Sequence, residues 1–277
     1  MKESVAFIDI NWSGRIVSIE YRWINRNRRN DPLIVFLHEG LGSVSMWKDF
    51  PQRLCDSTGC RGLVYSRPGY GRSTSRAPDE VWAKDFMHRQ AQQVLPVLLE
   101  SLGINAVANR LWLVGHSDGG SIALLYAAFY PECTAGIIVL APHIFVEDMS
   151  ISSIEKTRTA YLAGNLRQRL QKYHDSPDSS FWGWNTIWLA PDFRQWSIEQ
   201  EISAIQCPVL AAQGLNDHFG TLSQIQSIAH HAPQTELMEI RECGHSPQKD
   251  QPDQIIHAAV RFMGVWNVAT KDQHKLL

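Results

Sequence analysis

The stretch LWLVGHSDGGSIALLYAAFYP, Leu111 to Pro131, brackets one serine with glycines. Gly115-His116-Ser117-Asp118-Gly119 follows an apolar, strand-like run and precedes a helical one. A turn that sharp forces the serine into a strained backbone, so the residues two places away on each side must lack side chains. Its hydroxyl then stands at a helix N-terminus, where backbone N–H groups and the helix dipole favour developing negative charge. This placement suits a nucleophile whose attack creates an oxyanion. Gly120 and Ala123 allow the helix to lie close to the strands beneath it.

A serine hydroxyl is a weak nucleophile without a base. His245, in RECGHSPQKDQPDQI, lies in the loop after the strand-like TELMEI, and Asp217, in VLAAQGLNDHFG, lies just past Gly214 at another strand end. Ser117, Asp217 and His245 together specify acyl transfer: the imidazole takes the hydroxyl proton and the carboxylate orients the imidazole. Asp148 is the alternative acid. Two N–H donors are needed for the oxyanion. The amide of Asp118 supplies one, and the loop His38-Glu39-Gly40-Leu41-Gly42-Ser43 the other, with Gly40 preferred and Leu41 the alternative. Asp118 as nucleophile fails, because its own flanking positions are His116 and Gly120, and no cysteine occupies the turn.

Other residues bear on substrate. Glu39 either hydrogen-bonds the loop amides or faces the pocket to meet a cationic or hydroxylated group. The Asp118 side chain is expected to act as a charge partner at the helix N-terminus, not in the chemistry. Residues 181–196, FWGWNTIWLAPDFRQW, hold six aromatics in sixteen positions. These either pin their segment to the core or, through Trp182 or Trp184, line an apolar acyl pocket. His143, in APHIF, follows a strand end and either reaches the site or is structural. RNRRN, Arg26 to Asn30, is expected to be a solvated turn at the opposite end of the sheet. No His, Asp, Glu or Cys spacing implies a metal, and no cofactor is expected.

The positioning elements follow from periodicity. SVAFIDI and RIVSIEYRWI, separated by NWSG, predict an antiparallel hairpin. LIVFLH, RGLVYS, RLWLVG, GIIVLA, PVLAAQG and TELMEI read as short buried strands. Helices are predicted over Met46 to Ser57, Asp79 to Leu102 with a kink at Pro96, Ser117 to Tyr130, Leu222 to His231 and Pro252 to Met263. This alternation predicts an α/β fold, a mainly parallel sheet with helices on both faces. It breaks once, giving a core of residues 1–144 and 206–277 and a helical cap insertion over 145–205. No internal repeat is found. The tail ATKDQHKLL is expected to be disordered.

LHEGLGS, RPGYGRS, VGHSDGGS, GLNDHFG and CGHSP, spread between about Leu33 and Met263, resemble the α/β-hydrolase superfamily. The resemblance implies the Ser–Asp–His order and the cap. Glu39 departs from it, standing where relatives usually carry glycine. The leading implied function is a serine hydrolase cleaving an ester or thioester of a small apolar or aromatic carboxylic acid through an acyl-enzyme. The alternatives are a C–C bond hydrolase of an aromatic ring-fission product, then a prolyl-type aminopeptidase. A further alternative is a hydrolase-fold ligand receptor, which turnover of p-nitrophenyl esters would separate from the enzymes.

Composition sets the outer bounds. The chain has 277 residues, 44% hydrophobic and 19% charged, enough for a sizeable core, and a formal charge of −2 that gives no reason to expect nucleic acid or an anionic membrane. Its five cysteines form no CxxC pair and suggest reduced thiols. With no apolar run long enough for a signal peptide or a span, a cytoplasmic protein is expected. It would act on a small molecule as a monomer or homodimer.

Overall fold

The computed structural model describes residues 4–273. Eight strands form one sheet: β1 (Ala6–Trp12), β2 (Arg15–Ile24), β3 (Leu33–Leu37), β4 (Arg61–Tyr65), β5 (Leu111–His116), β6 (Thr134–Leu140), β7 (Val209–Gly214) and β8 (Thr235–Ile240). Their order is β1-β2-β4-β3-β5-β6-β7-β8. β1 with β2 and β2 with β4 run antiparallel; every other pair is parallel. The β1–β2 hairpin turns at Ser13 and Gly14, both with positive φ (53° and 75°), as a type I′ hairpin turn requires.

Burial explains the apolar runs. Every residue of β3, β5 and β7 is buried, because helices cover both faces of the central sheet. The outermost strand β1 instead alternates, leaving Phe7, Asp9 and Asn11 exposed. Successive residues of one strand enter opposite apolar layers: Val35 and Leu113 pack on one face, Ile34, Phe36 and Val114 on the other. The helix Asp118–Phe129 is buried along all but its last residue. It lies against β3, β5 and β6 and is covered in turn by further helices.

Three predicted boundaries are corrected. The helix expected from Asp79 begins at Phe86. Arg76 donates to the carbonyls of Ala77, Pro78 and Glu80, and these contacts stabilise an irregular turn instead. Further on, residues Gln90–Val94 form a π turn before the helix Leu95–Ser101. Pro96 has no N–H to give the Gln92 carbonyl, which accepts from the Tyr130 hydroxyl at 3.1 Å. The helix expected over Met46 to Ser57 is divided into a 3₁₀ turn (Val44–Trp47) and an α-helix (Phe50–Thr58), with Lys48 at positive φ between them and Pro51 in the first turn of the second. The last helix extends over Pro252–Gln273, so the tail expected to be disordered is helical to Gln273, and residues 274–277 lie outside the described residues.

Residues 145–205 contribute no strand to the sheet. They form the helices Asp148–Leu162, Asn165–Leu170 and Pro177–Trp188 and shorter turns. A bridge between Phe145 and Ser197, and the Ile198 amide bonded to the Ile144 carbonyl at 2.8 Å, close the neck of this segment. Ring contacts hold it together: Phe181 stacks on Tyr161, and Trp188, Phe193 and Trp196 meet one another. RNRRN lies exposed between β2 and β3, at the end of the sheet opposite the carboxyl edge of the parallel strands.

Candidate active site

Ser117 directly follows β5 and has φ 52° and ψ −122°, a conformation costly for any residue with a Cβ. The glycines explain how the chain tolerates it. A Cβ at Gly115 would lie 2.2 Å from the Gly119 carbonyl oxygen, and one at Gly119 would lie 2.0 Å from that of Leu37. The Ser117 amide donates to the Leu140 carbonyl at 3.0 Å, which fixes the turn against β6.

Two loops at the same edge of the sheet bring the partners. His245 Nε2 lies 3.0 Å from Ser117 Oγ, and His245 Nδ1 lies 2.8 Å from Asp217 Oδ2. The same carboxylate accepts from Gln213 Nε2 at 2.5 Å and from the Phe219 amide at 2.7 Å. Burial would raise the Asp217 pKa, but the His245 hydrogen bond and charge, with the Phe219 amide, bring it below the ordinary carboxylate value. Asp148, the alternative acid, points into solvent and pairs with Arg194.

A second layer of contacts holds the base. His116 Nε2 donates to the His245 carbonyl at 2.6 Å. Its other ring nitrogen has Gln248 Nε2 at 2.9 Å and a Glu39 carboxylate oxygen at 3.4 Å. The residue just before the serine thus fixes the backbone of the histidine that faces it.

The loop after β3 is held from below. His38 Nε2 accepts from the Arg67 amide at 3.0 Å while its Nδ1 donates to the Glu39 carbonyl at 2.7 Å. Burial, then the Arg67 charge, holds this imidazole well below its ordinary pKa, so it stays neutral. Arg67 is 1% exposed; it donates to the Glu39 carbonyl at 2.9 Å, reaches Asp118 Oδ2 at 3.6 Å and lies over the Tyr70 ring. Asp118 Oδ1 also accepts from Trp188 Nε1 at 3.2 Å. The Asp118 side chain, expected to serve the helix N-terminus, contacts a buried guanidinium and an indole. Burial outweighs both and raises its pKa.

These groups surround a cavity of about 110 Å³. Glu39, Gly40, Leu41, Ser117, Asp118, His143 and His245 line one side; Ile154, Thr157, Trp184, Trp188 and Phe219 complete it. The sequence-derived candidates therefore converge, with one correction. Trp182 is not among the lining residues; it meets Tyr161 and Phe181 and lies under Arg158. Helical periodicity explains this: Trp184 and Trp188, four apart, share a face that Trp182 does not. The Trp184 indole packs on Gly40, where a Cβ would be 2.2 Å from Nε1. His143 is buried against Trp188 and His245, and burial pushes its pKa down to about 3.

Sequence reasoning missed Arg67, Gln213, Trp188 and His174. His174, 2% exposed, accepts from the Gly71 amide at 2.9 Å and donates to the Leu41 carbonyl at 3.0 Å. Only Trp188 had a signal, its spacing from Trp184. Among the described residues no group of three or more His, Cys, Asp or Glu is placed to hold a metal ion, and no helix is long and apolar enough to cross a membrane.

With this geometry in hand, residues 34–258 match the alpha/beta hydrolase family. The chain belongs to that family. Within it, the chain is 31% identical over 160 residues to a bifunctional esterase/perhydrolase of Acinetobacter calcoaceticus, a match covering 56% of this chain and 54% of that protein. The chain thus spans only about half the length of that relative. It is 23% identical over 257 residues to the 2-hydroxy-6-oxo-6-phenylhexa-2,4-dienoate hydrolase of Comamonas testosteroni, covering 83% of this chain and 87% of the relative. The enol-lactonase of Burkholderia xenovorans LB400 superposes with a TM-score of 0.72 at 18% identity, covering 94% of this chain and all of that one (100%), a likeness of fold. The family's members named here are hydrolases.

Proposed function

We propose that this hydrolase cleaves esters or thioesters of small apolar or aromatic carboxylic acids through an acyl-enzyme on Ser117. The observation that carries the reading is the hydrogen-bonded chain Ser117 Oγ, His245 Nε2, His245 Nδ1, Asp217 Oδ2, with links of 3.0 and 2.8 Å. His245 accepts the Ser117 proton as the oxygen adds to the substrate carbonyl. The amides of Gly40 and Asp118 receive the oxyanion. Asp118 begins its helix, so its N–H has no carbonyl within that helix to bond. His245 then returns the proton to the departing alcohol or thiol. Water, deprotonated by the same imidazole, releases the acid.

Apolar lining from Leu41, Ile154, Trp184, Trp188 and Phe219, and the small volume, favour a compact acyl group. Residues 145–205 act as the cap. Labelling with a fluorophosphonate probe tests the nucleophile. Wild-type protein should label and hydrolyse p-nitrophenyl esters, and Ser117→Ala should do neither, with an activity loss on the order of 10⁶-fold. Labelling of the variant would refute the assignment, and a folded wild type inert on all esters would favour a receptor. A C–C bond hydrolase is the second reading, favoured by the match along 87% of the Comamonas dienoate hydrolase.

A further inference from the structure

The charges around the cavity are unevenly distributed. Two of its lining residues, Glu39 and Asp118, carry carboxylates, and no lysine or arginine lines it. The two cations nearest these carboxylates are already engaged. Arg67 is buried under the Glu39 carbonyl, Asp118 and Tyr70. Lys249 Nζ lies 3.7 Å from Glu39 Oε1 at the rim. The remaining basic groups of the lining are imidazoles. His143 is buried and neutral, and His245 must be neutral to act as base.

Glu39 itself is anionic. Burial would push its carboxyl up, yet His116 beside it and the Lys249 ammonium bring it well below the usual carboxylate range. A second carboxylate entering this space would lose its water, find no lysine or arginine among the lining residues, and face a fixed negative charge.

We infer that Glu39 is a charge filter: the cavity accepts uncharged acyl groups and rejects acyl groups that carry a carboxylate. The inference rests on the acyl-transfer reading and assigns its substrate class. It gives a role to the residue that stands where relatives usually carry glycine. Glu39 acts here as a specificity residue, through its charge and through its hold on Lys249.

The test compares ethyl valerate with monoethyl glutarate, in which a carboxylate replaces the terminal methyl, by acid release at constant pH. Wild-type kcat/KM should favour the valerate by about 100-fold, and Glu39→Gln should shrink that ratio roughly tenfold by raising the glutarate value and freeing Lys249. Lys249→Ala, at a half-exposed position, should widen the ratio a few-fold and decides the matter if Glu39→Gln does not fold. Similar wild-type rates on both esters, or a ratio that neither substitution moves, would overturn the filter while leaving the acyl-transfer reading intact. Absence of turnover on both esters, with no fluorophosphonate labelling, would overturn that reading and the filter with it.

Discussion

On the floor of the cavity, Ser117, His245, Asp217, Gln213 and His116 are joined by hydrogen bonds of 2.5–3.0 Å. In the roof, residues 177–196 meet chiefly ring against ring, with Phe181 on Tyr161 and Trp188 among Phe193 and Trp196. The floor is directional: Ser117 Oγ, both His245 nitrogens and Asp217 Oδ2 are each aimed by a second group, and a small displacement breaks the chain. The roof is held by area and shape, which tolerate exchange among side chains of similar volume. The two regions touch through polar groups at few points, and the Trp188–Asp118 bond is one of them.

The comparison can be broken first at the floor. Asp217→Asn should lower kcat on the order of 10³–10⁴-fold, because the imidazole loses the partner that fixes its tautomer. Steady-state kinetics on any cleaved ester measures this, and a loss below tenfold would remove Asp217 from the chain of proton control. Gly119→Ala comes next. Its new methyl would meet the Leu37 carbonyl, a backbone atom that cannot rotate away. A destabilisation of about 3 kcal/mol or more is expected in denaturant unfolding, and an unchanged midpoint would show that the turn has room for a methyl group beside the Leu37 carbonyl. Trp188→Phe sharpens the roof. It keeps most of the ring area and removes the donor to Asp118 Oδ1, so a cost of about 1–3 kcal/mol is expected from the unpaired buried acceptor. A stability equal to wild type would mean that the roof acts by packing alone.

The same division explains what the sequence revealed. The strands β3, β5, β6 and β7 were legible because burial on both faces demands continuous apolar runs. Ser117, Asp217 and His245 were legible because each follows a strand end within a glycine-bearing turn. Gly115 and Gly119 announce close backbone approaches that the coordinates then display. Arg67 and Gln213 were not legible as site residues, since nothing in their local spacing marks contacts made across the fold. Glu39 was legible as a departure that either bonds the loop amides or faces the pocket, but its partners His116 and Lys249, 77 and 210 positions away, were not. The early part of the helix expected from Asp79 failed for a related reason. Arg76 captures the carbonyls of Ala77, Pro78 and Glu80 around its expected start, a competition that periodicity does not register.

His174 has a consequence for traffic through the molecule. Its two ring nitrogens link the 145–205 segment to both the Gly71 and Leu41 loops, away from solvent. A door swinging as one body would have to tear both links together. Displacing that part of the segment would cost two buried hydrogen bonds at once.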